Sequence, residues 1–478
     1  MSLSVESRPV SAPPVRRTQP AIAIGRPTRT TTWTAVAVAA VFAAIYLIYS
    51  LGRHRAFATT GFDLGIFEQA VGSYAHGHWP TSTIRAPGLN LLGDHFHPIL
   101  AVLAPFYRLF PSAETLLVAQ ALLLAASVLP ITRIACSMMG RWLGVTIGVA
   151  YGLSWGLQNT LRFDFHEVAF AVPLLAFALE KLLRGRYSAA VAIATPIVLV
   201  KEDLGLTLAA LGVLLALYRP TRRLGVCTAL AGAATTALTV LVVIPAFSAD
   251  GNYQYLHAGG VNPYGVVHGD RLDPSKLVLL VLLLLPTAFI ALRSPLLLLA
   301  LPTLAWRLLG TYEFYWTPMF HYDAVLMPIL FCALVHGLVL LRPRLMRVTR
   351  GTAASPWARA FLGAVLVMLG PFAGTPTPLR DPAFNKPPEY AAAAKRLMAH
   401  IPDGATVATE NVLAPQLTSR TTVYLLPHAT ETDWILAFAN QPATLCPLLA
   451  TADQVHTDGW LVLIHRGPAP TPLTLPGC

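Results

Sequence analysis

Long apolar runs separated by short polar segments fill the chain from about residue 31 to residue 374. An apolar run of about 20 residues is long enough to cross a bilayer as a helix, so each run is a predicted span. Two of the runs, 187–200 and 360–373, are shorter than a full span, and we expect helices there that are tilted, broken or extended by their neighbours. The pattern predicts about eleven transmembrane helices, at 31–51, 112–132, 142–158, 167–183, 187–200, 204–218, 224–247, 277–292, 295–310, 323–341 and 360–373.

The amino-acid composition also indicates a membrane protein. Hydrophobic residues make up 55% of the 478 residues, charged residues only 12%, and the mean hydropathy is +0.58. Soluble domains carry about twice that share of charge. The fold class predicted is therefore an all-α polytopic membrane bundle that lies in a lipid bilayer.

Basic residues predict the orientation of the bundle, because short cytoplasmic loops collect Lys and Arg. The tail 1–30 is rich in Arg and has no small-residue cleavage site, so we expect a disordered cytoplasmic tail and not a removed signal peptide. Every second loop after it is also basic, as the segments around Arg133, Arg184, Arg222 and Arg344 show. The net charge of +11 is then a topology signal, and we expect no nucleic-acid binding.

Beyond the last predicted span, residues 375–478 change in character. The segment begins polar and Pro-rich, and then alternates between helical and strand-like patterns from 391 to 425, with a further strand at 460–466. Eleven spans place this segment on the side opposite the tail. We expect a small extracytoplasmic α/β domain, serving either as an acceptor pocket or as a structural lid.

The loops on that same predicted outer side carry most of the acidic residues and histidines, at or just inside helix ends. Ionisable groups at such depth are costly unless they pair, line a wet cavity or serve a function. Four loops far apart in sequence contribute them, which predicts a shared site. The residues are Asp63, Glu68, Asp94, His95, His97, Asp164, His166, Glu167, Lys201, Glu202, Asp203, Glu313, His321, Tyr322 and Asp323.

Asp63 follows the first span directly and has two interpretations. It could be the N-cap of an interfacial helix over 64–76, whose apolar stripe includes Leu64, Phe67 and Val71. Ile66 stands where a capping box would carry Glu or Gln, so capping alone does not explain the choice of aspartate. Capping and chemistry are compatible, and both remain open for Asp63.

Two further kinds of ligand suit these loops. Asp94, His95 and His97 have the residue types of a divalent-metal site, although histidines and acids that hydrogen-bond one another at an interface are the simpler alternative. A phosphate is the second ligand, because an ammonium or guanidinium group is a common phosphate partner. Lys201, Arg85 and Arg162 lie on the predicted outer side, against the positive-inside trend, and are the candidates.

Four motifs carry a resemblance to a known family: FDLGIFEQA, LLGDHFHPILAVLAPFY, FDFHEVAFAVPLLA and LVKEDLGL, in this order and at these spacings. They resemble the bacterial polytopic family catalogued as domain of unknown function 2079. That architecture is similar to the GT-C glycosyltransferases, membrane enzymes that take a sugar from a polyprenyl-phosphate carrier. The resemblance places Asp63 where those enzymes carry a catalytic base or acceptor-orienting acid. It differs in having Leu64 after Asp63, where many mannosyl-transferring relatives have a second acid.

The resemblance implies an inverting transfer of a sugar from a polyprenyl-phosphate sugar to an extracytoplasmic acceptor in the cell envelope. Asp63 would polarise the acceptor hydroxyl, while cationic groups hold the departing phosphate. A transporter or flippase of a lipid-linked or small polar substrate is the alternative, and it predicts ionisable groups at the bilayer midplane. A non-catalytic scaffold for the C-terminal segment is a second alternative, which leaves the convergence of four loops unexplained.

Overall fold

The computed structural model describes residues 27–257, 273–348, 378–427 and 432–467, and helices make up most of this chain. The helices preceding residue 349 are α1 Arg29–Arg55, α2 Ile66–Ala75, α3 Ala104–Leu109, α4 Ala113–Met139, α5 Arg141–Gly152, α6 Trp155–Arg162, α7 Ala171–Leu183, α8 Tyr187–Ala194, α9 Leu204–Ala216, α10 Arg222–Leu238, α11 Ile244–Phe247, α12 Gln254–His257, α13 Ser275–Leu284, α14 Leu301–Leu309 and α15 Leu326–Val348.

Several of these helices are apolar and long enough to cross a membrane. In the described part of the chain, four stretches meet that length and hydropathy: Arg29–Arg55, Ala113–Met139, Arg219–Phe247 and His321–Leu341. Shorter apolar helices lie at Pro98–Leu109, Tyr187–Leu199, Leu204–Ala216, Ser275–Thr287 and Pro295–Leu309. The predicted run at 360–373 and most of the tail 1–30 lie outside the described residues. The helix over 98–109 was not predicted from the sequence.

Proline explains where the short runs break. The helix of the 187–200 run tightens into a 3₁₀ turn at Thr195–Leu199, which contains Pro196. A second 3₁₀ turn, Leu285–Thr287, contains Pro286 and ends α13. Proline has no backbone N–H to donate and clashes with the preceding turn, so the α-helical hydrogen bonds stop there. The expectation of a broken helix at 187–200 is confirmed.

Small residues let neighbouring helices approach closely in two places, between α4 and α5 and between α9 and α10. A Cβ atom on Gly148 of α5 would lie 2.0 Å from the Thr132 hydroxyl of α4, so a larger residue does not fit. Between α9 and α10, a Cβ atom on Gly212 would lie 2.2 Å from the Ala229 backbone nitrogen. Close backbone contact through glycine is how helices associate when the surroundings are as apolar as the side chains.

The C-terminal segment contains a five-stranded mixed sheet with strand order β2-β1-β3-β5-β4. Its elements are the helix α16 Ala391–Met398, β1 Thr406–Thr409, β2 Thr422–Leu425, β3 Trp434–Phe438, the helix α17 Pro442–Leu449, β4 Ala452–Asp458 and β5 Leu461–Arg466. Strand β1 pairs in parallel with β2 and β3, and β5 pairs antiparallel with β3 and β4. The helix and the strands expected at 391–425 and 460–466 are confirmed, whereas β3 and β4 were missed.

The predicted helix over 64–76 is present as α2, but the predicted cap is wrong. Helix α2 begins at Ile66 after Gly65, and no side chain caps its first turn. Asp63 lies three residues earlier, in a segment of non-helical backbone. The aspartate is therefore held in place by something other than a helix terminus.

Candidate functional site

Asp63 has a strained backbone. Its φ of 83° and ψ of −70° are those of the classic γ-turn, which is rare for residues with a Cβ atom. Such a conformation costs of order 1–3 kcal/mol and persists only where the surrounding structure holds it. The Thr60 hydroxyl donates a hydrogen bond of 2.7 Å to the Phe62 carbonyl across this turn. Strain of this kind clusters at functional sites, which directs attention to the Asp63 side chain.

The Asp63 carboxylate begins a line of contacts that joins three loops. His166 Nε2 lies 3.3 Å from Asp63 Oδ1, and His166 Nδ1 lies 2.9 Å from Glu167 Oε2. Lys201 Nζ lies 3.3 Å from Glu167 Oε1. We call these four residues the Asp63 group. Asp63 is the most accessible member, with 21% of its side chain exposed. The side chains of Lys201, His166 and Glu167 are 13%, 8% and 2% exposed.

The line is an alternation of negative and positive charge. Burial alone lowers the pKa of His166, but the Glu167 and Asp63 carboxylates outweigh it and raise that pKa to about 9. Glu167 lies between two cations, with His166 Nδ1 at one carboxylate oxygen and Lys201 Nζ at the other. At neutral pH His166 is therefore an imidazolium between two carboxylates.

Asp164 contacts both the Asp63 loop and Arg53 at the end of α1. Its Oδ2 accepts a 2.9 Å hydrogen bond from the Thr60 N–H, and Arg53 Nη2 lies 3.3 Å from its Oδ1. Burial raises the pKa of Asp164 to about 6, against the lowering effect of Arg53. Arg53 was missed in the sequence, although a basic residue at the predicted outer end of the first span runs against the same positive-inside trend that selected Arg85 and Arg162.

A second group of charged residues lies beside the first and is densely hydrogen-bonded. Asp94 accepts from Arg85 Nε at 3.1 Å and Nη2 at 3.4 Å, and Gln254 and Tyr255 also donate to it. Glu202 receives His95 Nδ1 at 2.8 Å, the Phe96 N–H at 3.1 Å and the Tyr253 hydroxyl at 2.9 Å. We call Arg85, Asp94, His95 and Glu202 the Glu202 group.

Aromatic rings enclose His166. The ring of His321 stacks on it with 3.4 Å between centroids, and the rings of Phe163 and Phe67 lie within 5.7 Å. Both ring nitrogens of His321 are buried with no hydrogen-bond partner in the described part of the chain. Asp323, by contrast, is fully buried against Arg307, with 2.6 Å between Oδ1 and Nη1. The FHYD motif thus contributes one ring to the Asp63 group and one internal ion pair elsewhere.

The remaining predicted residues take separate positions. Arg162 is exposed at the end of α6, and no described ion pair joins it to either group. Asp203 accepts from Trp306 Nε1 at 2.8 Å, and burial raises its pKa to about 6. His97 is buried with its ring against Phe67, whereas His95 pairs with Glu202, so the two histidines do not face one ligand. Among the described residues, no group of three or more His, Cys, Asp or Glu side chains is arranged to hold a metal.

Comparison with known proteins places this geometry in a family. A family model described as a predicted membrane protein (DUF2079) matches residues 53–455. The chain belongs to the DUF2079 family. The match includes both the Asp63 group and the Glu202 group, and it extends through the C-terminal sheet as far as β4. No curated protein matches the chain.

Two solved structures show what the DUF2079 fold resembles. They are crystal structures of ArnT from Cupriavidus metallidurans, a GT-C glycosyltransferase, in the apo state and bound to undecaprenyl phosphate. The apo structure aligns with a TM-score of 0.56 at 16% sequence identity, and the bound structure with 0.52 at 15%. Each alignment covers 92% of this chain and 100% of the ArnT chain. The DUF2079 chain therefore has an ArnT-like fold.

Proposed function

We propose that this protein is a membrane glycosyltransferase that moves a sugar from a polyprenyl-phosphate carrier to an extracytoplasmic acceptor. The observation that carries the proposal is the line of contacts from Asp63 through His166 and Glu167 to Lys201. It sets an accessible carboxylate and a cation at the two ends of one line of alternating charges. The ArnT-like fold, and the undecaprenyl phosphate bound in one ArnT structure, support the class of carrier.

Asp63 is the proposed catalytic residue. A carboxylate that accepts or orients the proton of an acceptor hydroxyl contributes general-base catalysis, and it must be ionised and reachable to do so. Asp63 meets the second requirement, since its side chain is 21% exposed, and its Oδ1 lies 3.3 Å from His166 Nε2. The sugar then passes to the acceptor oxygen with inversion, and the carrier phosphate leaves with the electrons of the broken bond.

Lys201 is the proposed partner of the departing phosphate. Its ammonium group has three N–H donors, and Glu167 uses one side of it. A cation placed where negative charge develops stabilises the transition state without moving during the reaction. Arg162 is the candidate for a second phosphate contact, because it is exposed on the same side as the Asp63 loop.

The orientation is part of the proposal. The N-terminus lies in the cytoplasm, and the segment from about residue 375 lies outside the cell membrane, on the basis of the alternating basic loops. Reporter fusions at Pro20 and His400 test this orientation directly. Opposite sidedness of the two reporters is the expected result, and equal sidedness contradicts it.

The function itself is tested with purified protein and a panel of radiolabelled polyprenyl-phosphate sugars. With a cell-envelope extract supplying the acceptor, we expect label to leave the polyprenyl-phosphate carrier with at least one donor, and to stay on it for the Asp63→Asn variant. Movement of an intact labelled lipid across proteoliposomes without sugar release would instead support the flippase alternative. Release of label that is equal in the wild type and in Asp63→Asn would remove Asp63 from the mechanism.

A further inference from the structure

The backbone of the Asp63 loop is bound by the C-terminal segment, far away in sequence. The Gly61 N–H donates a 2.7 Å hydrogen bond to the Asn411 carbonyl, and the Phe62 N–H donates one of 2.7 Å to Asn411 Oδ1. One residue of the C-terminal segment therefore accepts the two consecutive amides that precede Asp63. Hydrogen bonds to two successive backbone groups restrict both of the dihedral angles between them.

The contact continues along one side of residues 411–418. A Cβ atom on Gly61 would lie 2.7 Å from Ala414 Cβ, and one on Gly65 would lie 3.4 Å from Thr418 Cγ2. The Thr418 hydroxyl also donates a hydrogen bond to the buried Glu68 carboxylate of α2. Asn411, Ala414 and Thr418 are spaced so that a helical turn presents them on one side, and this turn includes the 3₁₀ helix Ala414–Gln416.

The same loop is also bound by Asp164, which precedes α7. Asp164 accepts the Thr60 N–H, so the amides of residues 60, 61 and 62 are all engaged, one by Asp164 and two by Asn411. A strained residue persists only when its neighbours over-determine it. The strained residue here is Asp63, the next one along the chain.

We propose that Asn411 is a positioning residue, which holds the Asp63 loop in its γ-turn conformation and so aims the Asp63 carboxylate at the acceptor. The C-terminal segment is then part of the site and not only a lid over it. The link to catalysis rests on the proposed glycosyl transfer, whereas the link to the conformation of the loop does not. The two can therefore be tested separately.

The first test uses Asn411→Ala, with Asn440→Ala as the matched control. Both side chains are exposed and belong to the C-terminal segment, so neither change is expected to unfold the protein. Hydrogen exchange of full-length protein in detergent is followed in peptides that cover residues 58–64. We expect exchange there to be about tenfold faster in Asn411→Ala, for the loss of one hydrogen bond, and unchanged in Asn440→Ala. Asn411→Asp keeps an acceptor oxygen at this position, so residues 58–64 should exchange as slowly in this variant as in the wild type.

Transfer kinetics supply the second readout for the same variants. We expect Asn411→Ala to lower kcat about tenfold with little change in KM, since the carboxylate is misaligned while substrate binding is kept. Equal exchange in Asn411→Ala and Asn440→Ala overturns the proposal, and so does faster exchange without a loss of kcat. If wild-type protein transfers none of the sugars tested, the proposed function fails, and the exchange result alone then decides whether Asn411 holds the loop.

Exchanging the small side chains at positions 61 and 414 tests the contact between the Asp63 loop and residues 411–418. Gly61→Ala places a methyl group against Ala414, so we expect faster exchange at residues 58–64 and slower transfer. Adding Ala414→Gly removes the clash and leaves Asn411 Oδ1 as the nearest atom, at 3.4 Å, so the double variant should recover both. Ala414→Gly alone serves as the control and should behave like the wild type. If it does, and the double variant still shows fast exchange and slow transfer, then this contact does not control the loop.

Discussion

The Asp63 group and the Glu202 group contain similar types of residue, but Asp63 is bonded less completely than Asp94 or Glu202. Asp94 accepts from Arg85, Gln254 and Tyr255, and Glu202 accepts from a histidine, a backbone amide and a tyrosine. In the described part of the chain, His166 is the one ion-pair partner of Asp63, at 3.3 Å.

This difference distinguishes carboxylates that stabilise the fold from one that is available to a substrate. A carboxylate whose oxygens are occupied by protein donors stabilises the fold, because each hydrogen bond offsets the cost of burying charge. A carboxylate that is partly exposed and on a strained backbone has free acceptor positions for a substrate. We therefore assign the reaction to the Asp63 group and the alignment of the loops to the Glu202 group.

The largest expected effect comes from Asp63→Asn. Asparagine tolerates a positive φ at least as well as aspartate, so the loop and the yield of folded protein should be kept. The change removes the charge that accepts or orients the acceptor proton, and transfer should fall roughly a hundredfold to ten-thousandfold. The measurement is sugar release per folded molecule, with Asp403→Asn as the control, since the Asp403 side chain is 83% exposed. Retained transfer in the Asp63 variant would place the reaction elsewhere.

A smaller effect is expected from pH, through His166. The pKa of His166 in the folded protein, about 9, lies above the ordinary value of 6.5. The folded state thus binds this proton more tightly than the unfolded state. Its contribution to stability is complete below pH 6.5 and is lost as pH rises through 9.

Thermal unfolding in detergent between pH 6 and pH 10 measures this contribution. The wild type should lose stability across the window from pH 6.5 to 9, and the His166→Gln variant should lose less over the same window. The pKa of His95 is also raised, because Glu202 outweighs the effect of burial, so His95→Gln serves as the matched comparison in the Glu202 group. Identical pH profiles for the wild type and His166→Gln would contradict the charged state assigned to His166.

The sequence was sufficient for the elements that depend on local pattern. Apolar runs located most of the described helices, and the alternation of basic loops indicated which loops meet, so the sequence alone selected Asp63, His166, Glu167 and Lys201. Run length was enough to expect an irregular helix at 187–200. These features depend on neighbours in sequence, and a single sequence records them.

The contacts that hold the Asp63 loop, which the sequence did not reveal, come from partners more than a hundred residues away. The capping rule uses only the next few residues, so it offered a helix terminus as one interpretation of Asp63. Asn411 and Asp164 hold the loop from 348 and 104 residues away, counted from Asn411 to Asp63 and from Asp164 to Thr60. Strand β4 was missed because its residues, ADQVHTD, lack an apolar face, and pairing with β5 supplies its structure. The degree to which a carboxylate is bonded is likewise visible only in the fold.

The smallest effect on transfer, and the sharpest test of the comparison, is expected from Glu202→Gln. The glutamine amide has one oxygen, so at least one of the donors His95, Phe96 N–H and Tyr253 faces an N–H₂ group in place of an acceptor. Leaving a buried donor unsatisfied costs about 1–3 kcal/mol, which should lower the thermal midpoint clearly. Transfer per folded molecule should stay within about threefold of the wild type, because no proposed step uses Glu202. A large loss of transfer at an unchanged thermal midpoint would reverse the assignment, and Glu202 would then contact the substrate, as its place among the outer loops first indicated.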